Sequence, residues 1–214
     1  MKKSGAPFYL TGGTALSRHY FGHRYSDDLD LFLDNRIDFA VLVEHLIQDL
    51  DTKIKGFRVD RERTRKAENF LQTFIIPRAD LNFSLKIDLV NDTVPHYGDF
   101  ENSPVLGQID SWRNILSNKV CALFRFEAKD IADIWTLSKN RAFDWRAIIK
   151  EAKNKEIGID PVAFFEIINS VPVEALQTVK WTSSVDFNIL KTELSTIADD
   201  VFRGRENTLF RLQR

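Results

Sequence analysis

Two glycines and two aspartates near the start of the chain pose the first chemical question. Gly12 and Gly13 close the apolar run Phe8-Tyr9-Leu10, and Asp28 and Asp30 stand one residue apart in DLDLFL. Glycine after a strand lets the backbone turn sharply and lets a ligand approach the main chain. Thr14 follows, placed to cap a helix from Ala15 whose first N–H groups would suit a phosphate. A plain structural turn has the same look. On a strand, residues two apart face the same side, so Asp28 and Asp30 stand together while Leu29, Leu31 and Leu33 face the core. Such a pair repels unless water or a cation neutralises it. Mg²⁺ takes oxygen ligands and keeps positions open for phosphate oxygens; a solvated strand end is the alternative. Two-metal phosphoryl chemistry also needs a ligand serving the attacking hydroxyl. LNFSLKIDLV offers Asp88, with Lys86 and Val90 on its face and Ile87 and Leu89 behind. The alternative there is an edge strand with a solvated aspartate.

The elements that must position these groups change character near residue 110. Strands are expected at 8–11, 28–33, about 57–66, about 69–76 and 81–90, with helices at about 14–21 and 38–50. The second helix has Phe39, Leu42, Val43, Leu46, Ile47 and Leu50 at helical spacing. Residues 91–110, with two prolines and two glycines, read as a loop. Helices then follow at about 111–126, 128–140, 144–155, 160–169, 172–180 and 185–203. Strands followed by helices argue an α+β fold: a mixed sheet with flanking helices over 1–110, then a helical bundle over 111–214.

Composition narrows the class. The chain has 214 residues, 43% apolar and 29% charged, with net charge −1, so any nucleic-acid site is a local patch and not a global field. The single cysteine, Cys121, excludes an intrachain disulfide and fits a cytoplasmic setting. No run has signal-peptide character or membrane-spanning length.

LTGGTALSRHYFGHRYSDDLDLF resembles the first motif of the AbiEii/AbiGii toxin family, a branch of the DNA polymerase β-like nucleotidyltransferases. The resemblance rests on Gly12, Gly13, Thr14, Ala15, Leu16, His23, Arg24, Ser26, Asp28 and Asp30. It extends through Asp88 to NILSNKVCALFRFEAKDIADIWTL, where Lys119, Arg125 and the set Lys129, Asp130 and Asp133 match a later helical motif. A leading helix is missing, the step from Gly13 to Asp28 is slightly long, and the chain beyond residue 140 matches no motif. The resemblance implies a nucleotidyltransferase-type fold and a toxin of a toxin–antitoxin or phage-defence pair, with an antitoxin partner. It implies transfer of a nucleoside monophosphate from an NTP to RNA, such as a tRNA 3′ end, with Mg²⁺ or Mn²⁺. Gly12, Gly13 and Thr14 would contact the triphosphate, with Arg24, Ser26, Lys129, Asp130 and Asp133 also on the nucleotide. Asp28, Asp30 and Asp88 would hold the metal, and Lys119 would reach the phosphates. Transfer onto a protein hydroxyl, or a non-catalytic nucleotide- or antitoxin-binding module, are the rival readings.

Other groups carry less. Arg61, Arg63 and Arg65 alternate in FRVDRERTRK and would share one strand face, either as a row for RNA phosphates or as a charged guard on a sheet edge. His19 and His23 are four apart but lack the surrounding pattern of a zinc helix. Arg203, Arg205, Arg211 and Arg214 read as a solvated helix end, with RNA contact as the alternative. Trp112, Trp135 and Trp145 read as packing anchors.

Overall fold

The computed structural model describes residues 7–79 and 83–211. The chain forms two compact units. The first comprises residues 1–15, 26–94 and 99–110; the second comprises 16–25, 95–98 and 111–214. No helix among the described residues is long and apolar enough to cross a membrane.

The first unit is built on an eight-stranded mixed sheet. Its strands are β1 (Tyr9–Thr11), β2 (Asp28–Asp34), β3 (Phe57–Val59), β4 (Arg65–Ala67), β5 (Phe70–Pro77), β6 (Leu85–Asp92), β7 (Glu101–Ser103) and β8 (Gly107–Ile109). The order is β3-β5-β6-β2-β1-β8-β7, with β4 also paired to β5. The central pair β2 and β6 is parallel, as are β1 and β8; the other pairs are antiparallel. Alternation sorts the side chains. Leu31, Leu33, Ile87 and Leu89 are buried, whereas Asp28, Asp30 and Asp88 are not. Helix α2 (Phe39–Lys53) adds Phe39, Val43, Leu46 and Ile47 to the core. A short helix, α1 (Gly12–Ala15), follows β1.

Three expected elements differ. The strand over 57–66 is two short strands, because Asp60 turns the chain: it accepts from the Arg63 N–H at 3.3 Å, and Thr64 Oγ1 donates to its carbonyl at 2.8 Å. Arg61, Arg63 and Arg65 therefore do not share one strand face. The loop over 91–110 contains the hairpin β7–β8, and β8 is held beside β1 with Ile109 fully buried. The first helix starts at Gly12, not Ala15, so Thr14 lies inside its turn and is not its cap.

The second unit is helical. After a π-helical turn at Leu16–Tyr20 it comprises α3 (Trp112–Ala122), α4 (Ala128–Asn140), α5 (Trp145–Lys155), α6 (Pro161–Ser170), α7 (Val173–Gln177) and α8 (Phe187–Phe202). Sequence-coded caps start four of them. Ser111, Asp144, Asp160 and Asp186 each accept a backbone N–H from the first turn of α3, α5, α6 and α8. The core includes Trp145, Phe164, Ile115, Leu116, Leu137 and Leu190.

Candidate active site

In the first unit, strand register assembles a polar row across the sheet. Arg65 opposes Gln72, Gln72 opposes Asp88, Asp88 opposes Asp30, and Asp30 opposes Thr11. Asp28 lies one step along, opposite Lys86. Because β2 and β6 are parallel and in register, the three aspartates face the same side on neighbouring strands, which run about 4.8 Å apart. Gln72 Nε2 donates to Asp88 Oδ1 at 2.9 Å and fixes that carboxylate.

Asp30 and Gly12 are fitted to each other. Gly12 has φ +65°, and a Cβ built on it would lie 2.3 Å from Asp30 Oδ2. The glycine thus supplies a left-handed backbone and leaves space for the carboxylate. Thr14 Oγ1 donates to the Asp28 carbonyl and lies 2.9 Å from Ser26 Oγ, tying the turn to the entry of β2. Thr11 Oγ1 donates to the buried Asp110 at 2.5 Å and anchors the next strand.

Lys86 balances the acidic face. Its Nζ lies 3.0 Å from Asp28 Oδ2 and 3.3 Å from Asp88 Oδ2. Burial works to lower its pKa, but the two aspartates outweigh that and raise it, so the ammonium stays charged. Among the described residues no three His, Cys, Asp or Glu side chains form a ready metal cage. The oxygen-only donor set still fits a hard divalent cation, and a cationic group already lies between two of the three carboxylates.

The helical unit buries a second charged constellation. Asp133 Oδ1 accepts from His23 Nε2 at 2.8 Å and Arg24 Nε at 2.7 Å; its Oδ2 accepts from Arg24 Nη2 at 2.7 Å and Lys119 Nζ at 2.7 Å. Lys119 Nζ also donates to Asp130 Oδ1 at 2.5 Å. Burial would raise the Asp133 carboxyl, but Lys119, followed by His23 and Arg24, holds it well below the ordinary carboxylate range. Burial would likewise lower the Lys119 pKa, and Asp133 and Asp130 raise it instead. The spacing of Asp130 and Asp133 puts both on one face of α4. Lys129, one residue before, points outward to Glu127 at 3.1 Å. Residues 23–25 are pinned from the backbone: Thr182 N–H donates to the His23 carbonyl and Tyr25 N–H to the Lys180 carbonyl.

The remaining sequence candidates have local partners. Arg61 pairs with Asp51 at 3.2 Å. Arg63 pairs with Asp60 and stacks 4.1 Å from the Phe74 ring centroid. Arg203 and Arg205 bind Asp199, and Arg211 binds Glu206; Arg214 lies outside the described residues. Sequence reasoning gave no role to Lys86, Gln72 or Asp110. For Lys86 the signal was present, two residues from Asp88 on the same face. Gln72 and Asp110 become visible only through cross-strand register.

The sequence profile described as "Nucleotidyl transferase AbiEii toxin, Type IV TA system" matches residues 2–185. An uncharacterized protein of Aquifex aeolicus (strain VF5) is 28% identical over 165 residues, covering 72% of this chain and 68% of that protein. Among solved structures, the fold resembles MenT4, a nucleotidyltransferase toxin of Mycobacterium tuberculosis H37Rv, with a TM-score of 0.65 at 14% identity over 92% of this chain and 75% of that one. It also resembles JHP933 from Helicobacter pylori, with a TM-score of 0.59 at 19% identity over 98% of this chain and 88% of that one.

Proposed function

The chain belongs to the AbiEii nucleotidyl transferase toxin family, and we propose that it transfers a nucleoside monophosphate from an NTP to an RNA 3′ end such as that of tRNA. In the reaction the acceptor hydroxyl oxygen bonds to the α-phosphorus. The bond from that phosphorus to the bridging oxygen breaks, and pyrophosphate leaves with the electron pair. The observation that carries this reading is the register of Asp28 and Asp30 against Lys86 and Asp88, with Asp30 seated against Gly12.

Asp28, Asp30 and Asp88 would hold Mg²⁺ or Mn²⁺. When bound, that cation neutralises phosphate charge and eases deprotonation of the acceptor hydroxyl. Asp88, steadied by Gln72, serves the acceptor side. Gly12 and Gly13 would bring main-chain N–H groups to the triphosphate, with Thr14 and Ser26 setting the turn. Within the helical unit, Lys119 has three N–H donors, of which two are committed to Asp130 and Asp133, and Arg24 holds Asp133 in turn. Arg65, at the end of the polar row, and Arg63, stacked on Phe74, would receive the acceptor backbone. The test is incubation with labelled NTPs and a divalent cation, followed by separation of RNA from protein. Label in RNA is expected, and its loss in Asp30→Asn. Label in protein alone would refute the RNA acceptor, and an unchanged rate in Asp30→Asn would refute the site.

A further inference from the structure

We propose that a cavity of the helical unit, bordered at His23 by its buried ion cluster, is a nucleobase-binding pocket. The proposal rests on the reading that this chain handles nucleotides. The cavity has a volume of about 540 Å³, within the roughly 300–1,000 Å³ of small-molecule sites. Its walls are aromatic: Tyr20 and Phe21 come from the turn after α1, Trp135 from α4 and Trp181 from the segment between α7 and α8. Trp135 and Trp181 meet edge to face at 5.7 Å and 88°, so each braces the other. Trp135 Nε1 donates to Glu193 at 2.6 Å and Trp181 Nε1 to the Leu176 carbonyl at 3.0 Å, which fixes both rings. Rigid aromatic surfaces are what a base stacks on.

Lys139, a lining residue, holds its Nζ 4.7 Å from the Trp135 ring centroid and is itself paired with Glu193 at 2.9 Å, so ring and ammonium are held together. The rim at Ser183 and Ser184 is exposed and adds hydroxyls that can donate or accept. His23 closes one side of the cavity, with its side chain only 8% exposed and its Nε2 donating to Asp133, so this wall is fixed from behind.

The base can come from the NTP or from the acceptor RNA, and tryptophan fluorescence distinguishes them. Purified protein is titrated with the four nucleoside monophosphates, with NTPs, with a short single-stranded oligoribonucleotide and with ribose 5-phosphate. Saturable quenching is expected from the base-bearing ligands and none from ribose 5-phosphate. The quenching should fall in Trp181→Phe, which assigns it to the cavity. Ser184→Phe, and independently Ser183→Phe, should weaken binding at least tenfold without changing the far-UV spectrum. A raised KM for NTP alone assigns the pocket to the nucleotide donor; a raised KM for RNA alone, with the oligonucleotide binding tighter than the monophosphates, assigns it to the acceptor. Equal quenching by ribose 5-phosphate, no quenching by any base, or unchanged binding in both blocked variants would overturn the proposal. Asp30→Asn should retain the quenching, so failure of the carboxylate site and failure of the pocket give different results.

Discussion

Replacing Lys119 by methionine should unfold the helical unit more readily, before any question of catalysis arises. Lys119 Nζ is shared between Asp130 Oδ1 at 2.5 Å and Asp133 Oδ2 at 2.7 Å, and all three residues are buried. The consequences for the two aspartates differ. Asp133 keeps Arg24 and His23. Asp130 keeps only Arg125, 3.6 Å from its Oδ2 and itself largely exposed, and that oxygen already has no hydrogen-bond partner among the described residues. Breaking a buried ion pair from one side costs about 3–5 kcal/mol, because the remaining charge stays desolvated. Domains of this size are stable by only about 5–15 kcal/mol. At about 2–4 °C per kcal/mol, the melting temperature should fall on the order of 10 °C. Thermal unfolding followed by circular dichroism at pH 7 reads this. The partner variant Lys119→Met/Asp130→Asn should recover much of the loss, since a neutral amide carries less desolvation cost than a stranded carboxylate. A Lys119→Met protein melting within about 2 °C of wild type, a shift of under roughly 1 kcal/mol, would refute the reasoning. So would a double variant no more stable than the single one.

Further outcomes follow from the same geometry. Gly12→Ala should cost about 1–2 kcal/mol for the left-handed backbone; because its Cβ meets the end of the Asp30 side chain, transfer should fall far more than stability, as comparison of urea midpoints with labelled-NTP assays would show. Lys86→Met should remove the ammonium between Asp28 and Asp88 and tighten Mn²⁺ binding roughly three- to tenfold, about 1 kcal/mol at a partly exposed site; weaker or equal Mn²⁺ affinity by calorimetry would count against it. Acid should destabilise the helical unit through Asp133. Its folded pKa is depressed, so the contribution is present above the ordinary carboxylate value and is lost as pH falls below about 4. Lys119 is raised, so its share holds in the neutral range and is lost only as pH climbs past about 10.4. Urea midpoints measured from pH 2 to 8 should fall on the acid side, and less so in Asp133→Asn.

What could be read from the sequence was whatever depends on short-range periodicity. The alternation DLDLFL fixes which face of β2 carries the carboxylates without knowledge of any partner strand. The helical caps Ser111, Asp144, Asp160 and Asp186 are likewise local, so the helices of the second unit fall close to their expected places. Asp60 shows where alternation misleads. Arg61, Arg63 and Arg65 keep a period of two in the sequence, but the Asp60 side chain accepts backbone and guanidinium donors from Arg63 and bends the chain between β3 and β4. Residues 101–109 fail in the opposite way. Proline and glycine mark the turn, and the strands on either side are only three residues long, too short for a periodic signal. Their strand character comes from β1, which supplies the parallel partner for β8.

The charged residues were harder still, because sequence gives a residue's type and tertiary structure gives its partner. Lys129, Asp130 and Asp133 look alike in AKDIADIW. In the fold, Lys129 stays at the surface with Glu127, while Asp130 and Asp133 are buried on the opposite side of a helical turn around Lys119, eleven and fourteen residues earlier in the chain. Asp133 also takes His23 and Arg24, which are more than a hundred positions away. The two neighbouring aspartates are therefore not equivalent. Asp133 has two cationic partners, Arg24 and Lys119, together with the His23 N–H, and Asp130 depends chiefly on Lys119. Asp130→Asn should be tolerated, since Lys119 keeps Asp133 and one buried charge is removed. Asp133→Asn should be strongly destabilising, because it leaves Arg24 without its bidentate carboxylate in a site where the guanidinium is only 5% exposed. Equal losses of stability in the two variants would show that the ion cluster does not divide its charges in this way.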